Sequence, residues 1–276
     1  MSIIKQAFSV FTGNSLSQSL LEYNVKFAHF LMGVGAGTRV HSSGETSLVR
    51  HIESYNAAEG QLCVFDVGAN VGQFASLIRE NCDMTRLTMH SFEPSVAAFE
   101  GLTKAHRDCS AIRLNNLALG AQSGTATLYS DKPASGLSSL TKRDLDHVGK
   151  TMNLTQTVQV RTLDDYCESH RIERIHLLKI DVEGHEHAVL EGAARMFASQ
   201  RVDAVTFEFG GCNIDTRTYF RDFYNFFSQR DMQLFRITPR GYLRLITRYR
   251  EHHEQFLTTN FMAVRRNAAK KGVRSL

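Results

Sequence analysis

Residues 64–72 read VFDVGANVG, a buried-strand pattern running into a glycine turn, and they constrain the fold of this chain more than any other stretch. The run from Leu62 to Val67 is apolar except for Asp66, which suits a parallel strand covered on both faces. Gly68 and Gly72 permit a sharp strand-to-helix crossover and close backbone approach. The helix that follows aims its free N–H groups at whatever binds there. A dinucleotide turn requires G-x-G-x-x-G, but Asn70 stands at its second glycine and Gln73 at its third, so a pyrophosphate fits poorly. Asp66 repels phosphate and suits a cationic ligand instead. The common adenosine cofactor with a cationic sulfonium and amine is S-adenosylmethionine. On this motif alone, a glycine-containing turn of any doubly wound protein is the alternative.

The 276 residues and 42% hydrophobic content suit one α/β domain with an N-terminal extension. The formal charge of +4 rests on Arg265, Arg266, Lys270, Lys271 and Arg274 near the end; without those five the body stands at −1. A near-neutral body gives nucleic acid little electrostatic footprint. The basic tail, residues 267–276, reads as a solvated end or as a weak contact for a membrane surface or anionic polymer. Cys63, Cys82, Cys109, Cys167 and Cys212 are odd in number and lack C-x-x-C spacing, which argues against a zinc site and a disulfide framework. A reducing cytoplasm is the expected location. No apolar run reaches the roughly 18 residues of a transmembrane helix.

Residues 1–58 read as a mostly helical extension or cap, with Leu20, Leu21, Val25, Phe27, Phe30 and Leu31 spaced for a packed face. A glycine break follows, in which Gly33, Gly35 and Gly37 form a connector or a loop covering a cofactor. Ser43 or Glu45 then opens a helix carrying Leu48, Val49 and Ile52. From residue 59 to 266 strands and helices alternate, the signature of βαβ units. The spacing predicts strands at 62–67, 87–92, 111–115, 125–130, 157–162, 176–182, 202–209, 233–237, 243–246 and 260–264. It predicts helices at 73–79, 96–106, 163–170, 186–197 and 216–228, the last setting Tyr219, Phe220, Phe223, Phe226 and Phe227 on one core-facing stripe. Between two of the strands, residues 131–156 form a polar insertion that reads as a mobile loop or lid.

Ligands of open α/β sheets bind beyond the carboxyl ends of the strands. Those ends carry Asp66, Glu93, Asn115 with Asn116, Asp181 with Glu183, and Glu208. Glu93 stands where a carboxylate accepts hydrogen bonds from ribose hydroxyls. Lys179, Asp181 and Glu183 alternate along one strand and its exit, so three charges converge on one spot. A salt bridge at a sheet edge is the structural alternative, but charges inside an apolar strand are costly to bury. His185 is a candidate base, while His187 reads as a surface residue and H-x-H is too loose to claim a metal.

Taken together, VFDVGANVGQF, HSFEPS, LNNLALG, VRTLDDY, LLKIDVEGHEHAVLEGA, VTFEFG and TTNFMAV resemble the FkbM-type S-adenosylmethionine-dependent methyltransferases over about residues 42–264. The resemblance implies a Rossmann-like class I methyltransferase: an α/β fold with a seven-stranded, mostly parallel sheet, an antiparallel last strand and helices on both faces. It implies methylation of a hydroxyl on a glycan or secondary metabolite. By position, Asp66, Gly68, Asn70 and Gly72 would hold the methionine end of the cofactor, Glu93 its ribose, and Asn116 and Ala118 its adenine. Asp181 and Glu183 would lie next to the methyl group and acceptor, with Asp181, Glu183 or His185 as base and Lys179 orienting Asp181 or an anionic acceptor. Mg²⁺ on Asp181, Glu183 and Glu208 is the lesser arrangement. Two other classes compete: a non-catalytic S-adenosylmethionine-binding scaffold, which the charged cluster opposes, and an NAD(P)-linked oxidoreductase, which Asn70 opposes.

Overall fold

Leu62–Val67 forms β1 at the centre of the main sheet, hydrogen-bonded on one side to β2 (Leu87–Phe92) and on the other to β7 (Leu177–Ile180), both parallel. The computed structural model describes residues 12–36, 46–53 and 60–266. Alternation along β1 sends Phe65 and Val67 into one apolar core and Leu62 and Val64 into the other. This two-sided burial is what the near-continuous apolar run demands.

The remaining strands are β3 (Ile112–Asn115), β4 (Ala118–Leu119), β5 (Gly124–Ser130), β6 (Leu154–Arg161), β8 (Ala204–Phe209), β9 (Met232–Ile237), β10 (Leu243–Ile246) and β11 (Thr259–Arg265). The main sheet has the order β10-β9-β11-β8-β7-β1-β2-β3, and β11 runs antiparallel to both β8 and β9. Among the described residues it therefore holds eight strands where seven are expected. The extra member is β10, which folds back on β9 through the turn at Pro239 to Gly241 and pairs antiparallel at the edge.

Helices cover both faces. On one side α2 (Thr46–Glu53) and α3 (Gln73–Asn81) bring Leu48, Ile52, Phe74 and Ile78 onto the sheet. On the other side pack α5 (Leu163–Ser169), α6 (Glu186–Glu191), α7 (Ala194–Ala198) and α9 (Phe220–Ser228). The continuous helix expected over 186–197 is broken between α6 and α7, where the backbone at Gly192 approaches Gly120 so closely that a Cβ would stand 2.0 Å from its carbonyl oxygen. The aromatic stripe is real but starts later than its spacing suggests. Phe220, Phe223 and Phe227 are buried, whereas Tyr219 caps α9 and is exposed. Two further helices are α4 (Val96–His106) and α8 (Cys212–Thr216).

A second, three-stranded sheet of order β4-β6-β5 stands beside the first, and the β5–β6 hairpin carries the insertion. The insertion is docked, with Ser135, Ser139, Leu145 and Met152 buried and Ser139 bridged to Tyr129. Two surface readings need correction. Arg265 is not part of a tail; it lies in β11, buried, and its guanidinium donates to the Val202 carbonyl at 2.6 Å. His187 is not a surface residue; it is half-buried against Phe223 and Phe226 and meets Glu191 at 3.3 Å.

The N-terminal helix α1 (Ser15–Met32) departs furthest from expectation, since none of its residues is buried and its apolar side chains meet solvent. Gly33 ends it in the left-handed conformation and packs on Ile237 to Pro239, so this glycine break is a connector and does not line the main cavity. Gly37, Ser43, Glu45 and the basic residues Lys270, Lys271 and Arg274 lie outside the described residues. All five cysteines are free. Among the described residues no helix is long and apolar enough to cross a membrane.

Candidate active site

The carboxyl ends of β1, β2, β7 and β8 open into a cavity of about 480 Å³, within the range of small-molecule sites. The β1 and β7 ends are drawn together by an Asp181 N–H bond to the Val67 carbonyl at 2.9 Å. Gly68 follows at φ +84°, and a Cβ there would stand 1.8 Å from the Asp181 carbonyl oxygen. This glycine is therefore demanded by the adjoining strand exit. Gly72 has a similar reason. It turns at φ +92° beneath α4, and a Cβ would reach 2.6 Å from the His106 ring, which itself contacts the Gly72 carbonyl at 3.0 Å.

Between these glycines Asn70 takes φ +47°, a left-handed position that asparagine tolerates. Its N–H donates to Glu93 at 2.9 Å, and the Ser95 N–H donates to the other Glu93 oxygen at 2.8 Å. Burial of Glu93 still dominates those two bonds and raises its pKa to about 7. Asn116 donates to the Glu93 and Pro94 carbonyls at 2.8 and 3.1 Å, fixing this strand exit from behind.

Asp66 is fully buried on the α3 side of the sheet, where strand register places it beside Lys179. The Lys179 ammonium lies 3.6 Å from Asp66 and 3.3 Å from Asp181, with its charge above the Phe74 ring at 5.5 Å. Desolvation raises the Asp66 pKa and Lys179 opposes that rise. The cavity is lined by Gly68, Asn70, Glu93, Ala118, Lys179, Asp181, Glu183, His185 and Glu208. Asp66, Gly72 and Asn116 are not among its lining residues; they act one layer behind, as an ion-pair partner, a helix contact and a strand-exit clamp.

Asp181, Glu183 and Glu208 each offer a carboxylate oxygen within 4.8 Å of the others, so this trio could hold a cation. Two of its members already face cations: Lys179 stands beside Asp181, and Arg143 of the insertion pairs with Glu183 while reaching Asp215 at 3.5 Å. Burial, reinforced by Asp181, raises the Glu183 pKa to about 8, and Glu208 is likewise pushed up by burial and by Asp181. His185 is held by Thr141 at 2.9 Å, and burial lowers its pKa, which favours the neutral ring.

Arg143, Ser139 and Thr141 were not singled out in the sequence because they sit in a polar insertion without periodicity. The signal that could have found Arg143 is the need of a buried Glu183 for a cation. Glu186 was also missed. Fully buried, it accepts from the Val182 and Gly184 N–H groups at 3.1 and 3.0 Å and so shapes the exit of β7.

The chain matches the model of the methyltransferase FkbM domain over residues 66–234, which is more than half its length. It belongs to that family. The cofactor of FkbM methyltransferases is S-adenosylmethionine, and the site has suitable features: a carboxylate with acceptor capacity left at β2, and an apolar wall of Phe92, Leu117, Ala118, Leu119 and Leu128. Over 147 residues the chain is 29% identical to Methyltransferase 1 of Beauveria bassiana (strain ARSEF 2860), covering 47% of this chain and 57% of that one. Among solved structures it is similar to the methyltransferase FkbM of Methylobacillus flagellatus KT, at 17% identity and a TM-score of 0.44, covering 74% of this chain and 44% of that one. It is also similar to Aeropyrum pernix fibrillarin in complex with S-adenosyl-L-methionine, at 10% identity and a TM-score of 0.42, covering 81% and 76%. The chain thus spans less than two thirds of the first two relatives.

Two outcomes follow from this geometry. Gly68→Ala strains the left-handed turn by about 1–3 kcal/mol before the clash with Asp181 is added, so its unfolding midpoint in a denaturant titration falls well below wild type. An unchanged midpoint would mean that the two strand ends separate freely. The raised carboxyls set a pH dependence. Glu93 and Glu186 rise to about 7 and Glu183 to about 8 in the folded chain, against about 4.5 when unfolded, so the folded chain holds extra protons whose stabilisation is lost progressively as pH climbs from about 4.5 and is gone above 7–8. His51 and His90, lowered by burial to about 4, act in the opposite sense below 6.5. Cofactor-free protein is therefore expected to lose stability as pH rises above about 6.5, where the histidines no longer oppose the carboxyls, and to level off above about 8, with a smaller loss in Glu186→Gln.

Proposed function

We propose that this chain is an S-adenosylmethionine-dependent O-methyltransferase acting on a hydroxyl of a glycan or secondary metabolite. The observation that carries this reading is the convergence of Asp181, Glu183, Glu208 and His185 on the wall of the same cavity that Glu93 and Asn70 line. When bound, the cofactor supplies an electrophilic methyl group, so the chain's own task is to place an acceptor oxygen and take its proton. Glu93 would receive the ribose hydroxyls, and the Gly68 to Asn70 turn the methionine end. Ala118, with Leu117 and Leu119, would lie against the adenine.

An alcohol is a weak nucleophile at neutral pH, and a positioned base contributes about 10²- to 10⁴-fold. Asp181 is the first choice for that base, because it lies in the cavity wall with its side chain 40% exposed and Lys179 opposing its charge. Glu183 is engaged by Arg143, which leaves it less free to accept a proton. His185 favours the neutral ring but is committed to Thr141. Glu93→Ala, in contrast to changes at Asp181, should act on cofactor affinity.

Transfer of labelled methyl from S-adenosylmethionine into fractionated glycans, lipids and small metabolites tests the reading. Asp181→Asn is expected to lower turnover by about 10²- to 10⁴-fold while titration calorimetry shows cofactor affinity retained. Wild-type rates in that variant would move the base to Glu183 or His185, and labelling confined to carbon or nitrogen positions would sink O-methylation. Because Lys179 and Arg143 already stand against two of the three clustered carboxylates, excess EDTA is expected to leave turnover unchanged. A loss restored by Mg²⁺ would instead assign Asp181, Glu183 and Glu208 as its ligands.

A further inference from the structure

The helix Ser15–Met32 presents Leu16, Leu20, Tyr23, Phe27 and Phe30 at alternating spacings of four and three residues, the repeat of a helix-pairing seam. With Leu31 beside them, these residues are 53% to 82% exposed. An apolar seam of this length left in water is unfavourable, and at about 150–250 Å² per large side chain it offers on the order of 700 Å² for burial, close to the roughly 800 Å² that each partner contributes to a stable protein interface.

Charge and shape select the occupant. Glu22 and Lys26 are the helix's only fully charged residues, opposite in sign, on one flank of the seam and four residues apart. Around a two-fold axis beside Tyr23 and Asn24, antiparallel packing sets Glu22 of each copy against Lys26 of the other, Leu20 against Phe27 and Leu16 against Phe30 or Leu31. Parallel packing would align like charges at each level. It would also bring two bodies together at one end, because α1 joins the body at its C-terminus, where Val34 is buried and the Gly35 N–H donates to Thr259 at 3.2 Å. An antiparallel pair separates the bodies by the roughly 27 Å length of the helix. An anionic bilayer fits less well, since outside the seam the helix carries one Glu and one Lys, with Leu21, Val25 and Met32 among them, and so lacks the basic face of interfacial helices.

We infer that α1 is a homodimerisation helix that pairs antiparallel with α1 of a second copy of this chain through the seam centred on Tyr23. The inference is independent of the acceptor and of the base.

Sedimentation equilibrium of the full-length protein tests it. A dimer is expected at micromolar concentration, with Leu20→Glu/Phe27→Glu running as a monomer that keeps its circular dichroism and its S-adenosylmethionine affinity. Glu22→Lys should weaken the dimer several-fold, and Glu22→Lys/Lys26→Glu should restore it. Under mild oxidation Tyr23→Cys should cross-link to its own copy beyond the wild-type background and Leu16→Cys should not, because only the centre of an antiparallel seam meets itself. A wild-type monomer at 100 µM (a concentration of order ~10² µM suffices to populate weak dimers), self-cross-linking by Leu16→Cys, or co-sedimentation with phosphatidylcholine/phosphatidylglycerol vesicles that replaces dimerisation would overturn it.

Discussion

The approach of two parallel strand ends, β1 at Val67–Gly68 and β7 at Asp181, is the contact on which the site depends. The Asp181 N–H bond to the Val67 carbonyl leaves no room for a side chain at the next residue. Gly68 in a left-handed turn then lets the backbone leave the sheet toward Asn70 and Glu93, while Asp181 leaves toward Glu183 and His185. Both sets of residues border the same cavity. Separating the strand ends would disturb both sets together.

Charge burial is the second organising constraint. Lys179 lies within 3.6 Å of Asp66 and within 3.3 Å of Asp181, and Arg143 joins Glu183 to Asp215. Buried carboxylates without such partners cost several kcal/mol, and the raised pKa values of Glu93, Glu183 and Glu186 show that compensation here is incomplete. Of these three, Glu93 and Glu183 line the cavity, whereas Glu186 lies behind it. Charge burial also gives the polar insertion a structural task, since Arg143 brings a cation that no strand of the main sheet supplies to Glu183.

Much of the fold was legible because it follows from local periodicity. The run at 62–67 had to be a two-sided strand, and the aromatic stripe ending at Phe227 had to face a core. Strand ends bearing Glu93, Asp181 and Glu208 were readable for the same reason. The roles of Asp66, Gly72 and Asn116 were not. Motif position groups them with the ligand, whereas strand register, helix packing and a strand-exit clamp place them behind the cavity wall.

The sequence by itself determined the alternation of strands and helices, the family, and the strand ends at which chemistry would gather, because these depend on residue type and short-range spacing. Only the tertiary structure decided that Asp66 answers to Lys179, that Arg143 reaches Glu183, and that the apolar residues of α1 meet solvent instead of the core. Those outcomes depend on which distant segments become neighbours. Hydrophobic spacing states that a face wants cover, and long-range packing alone settles what covers it.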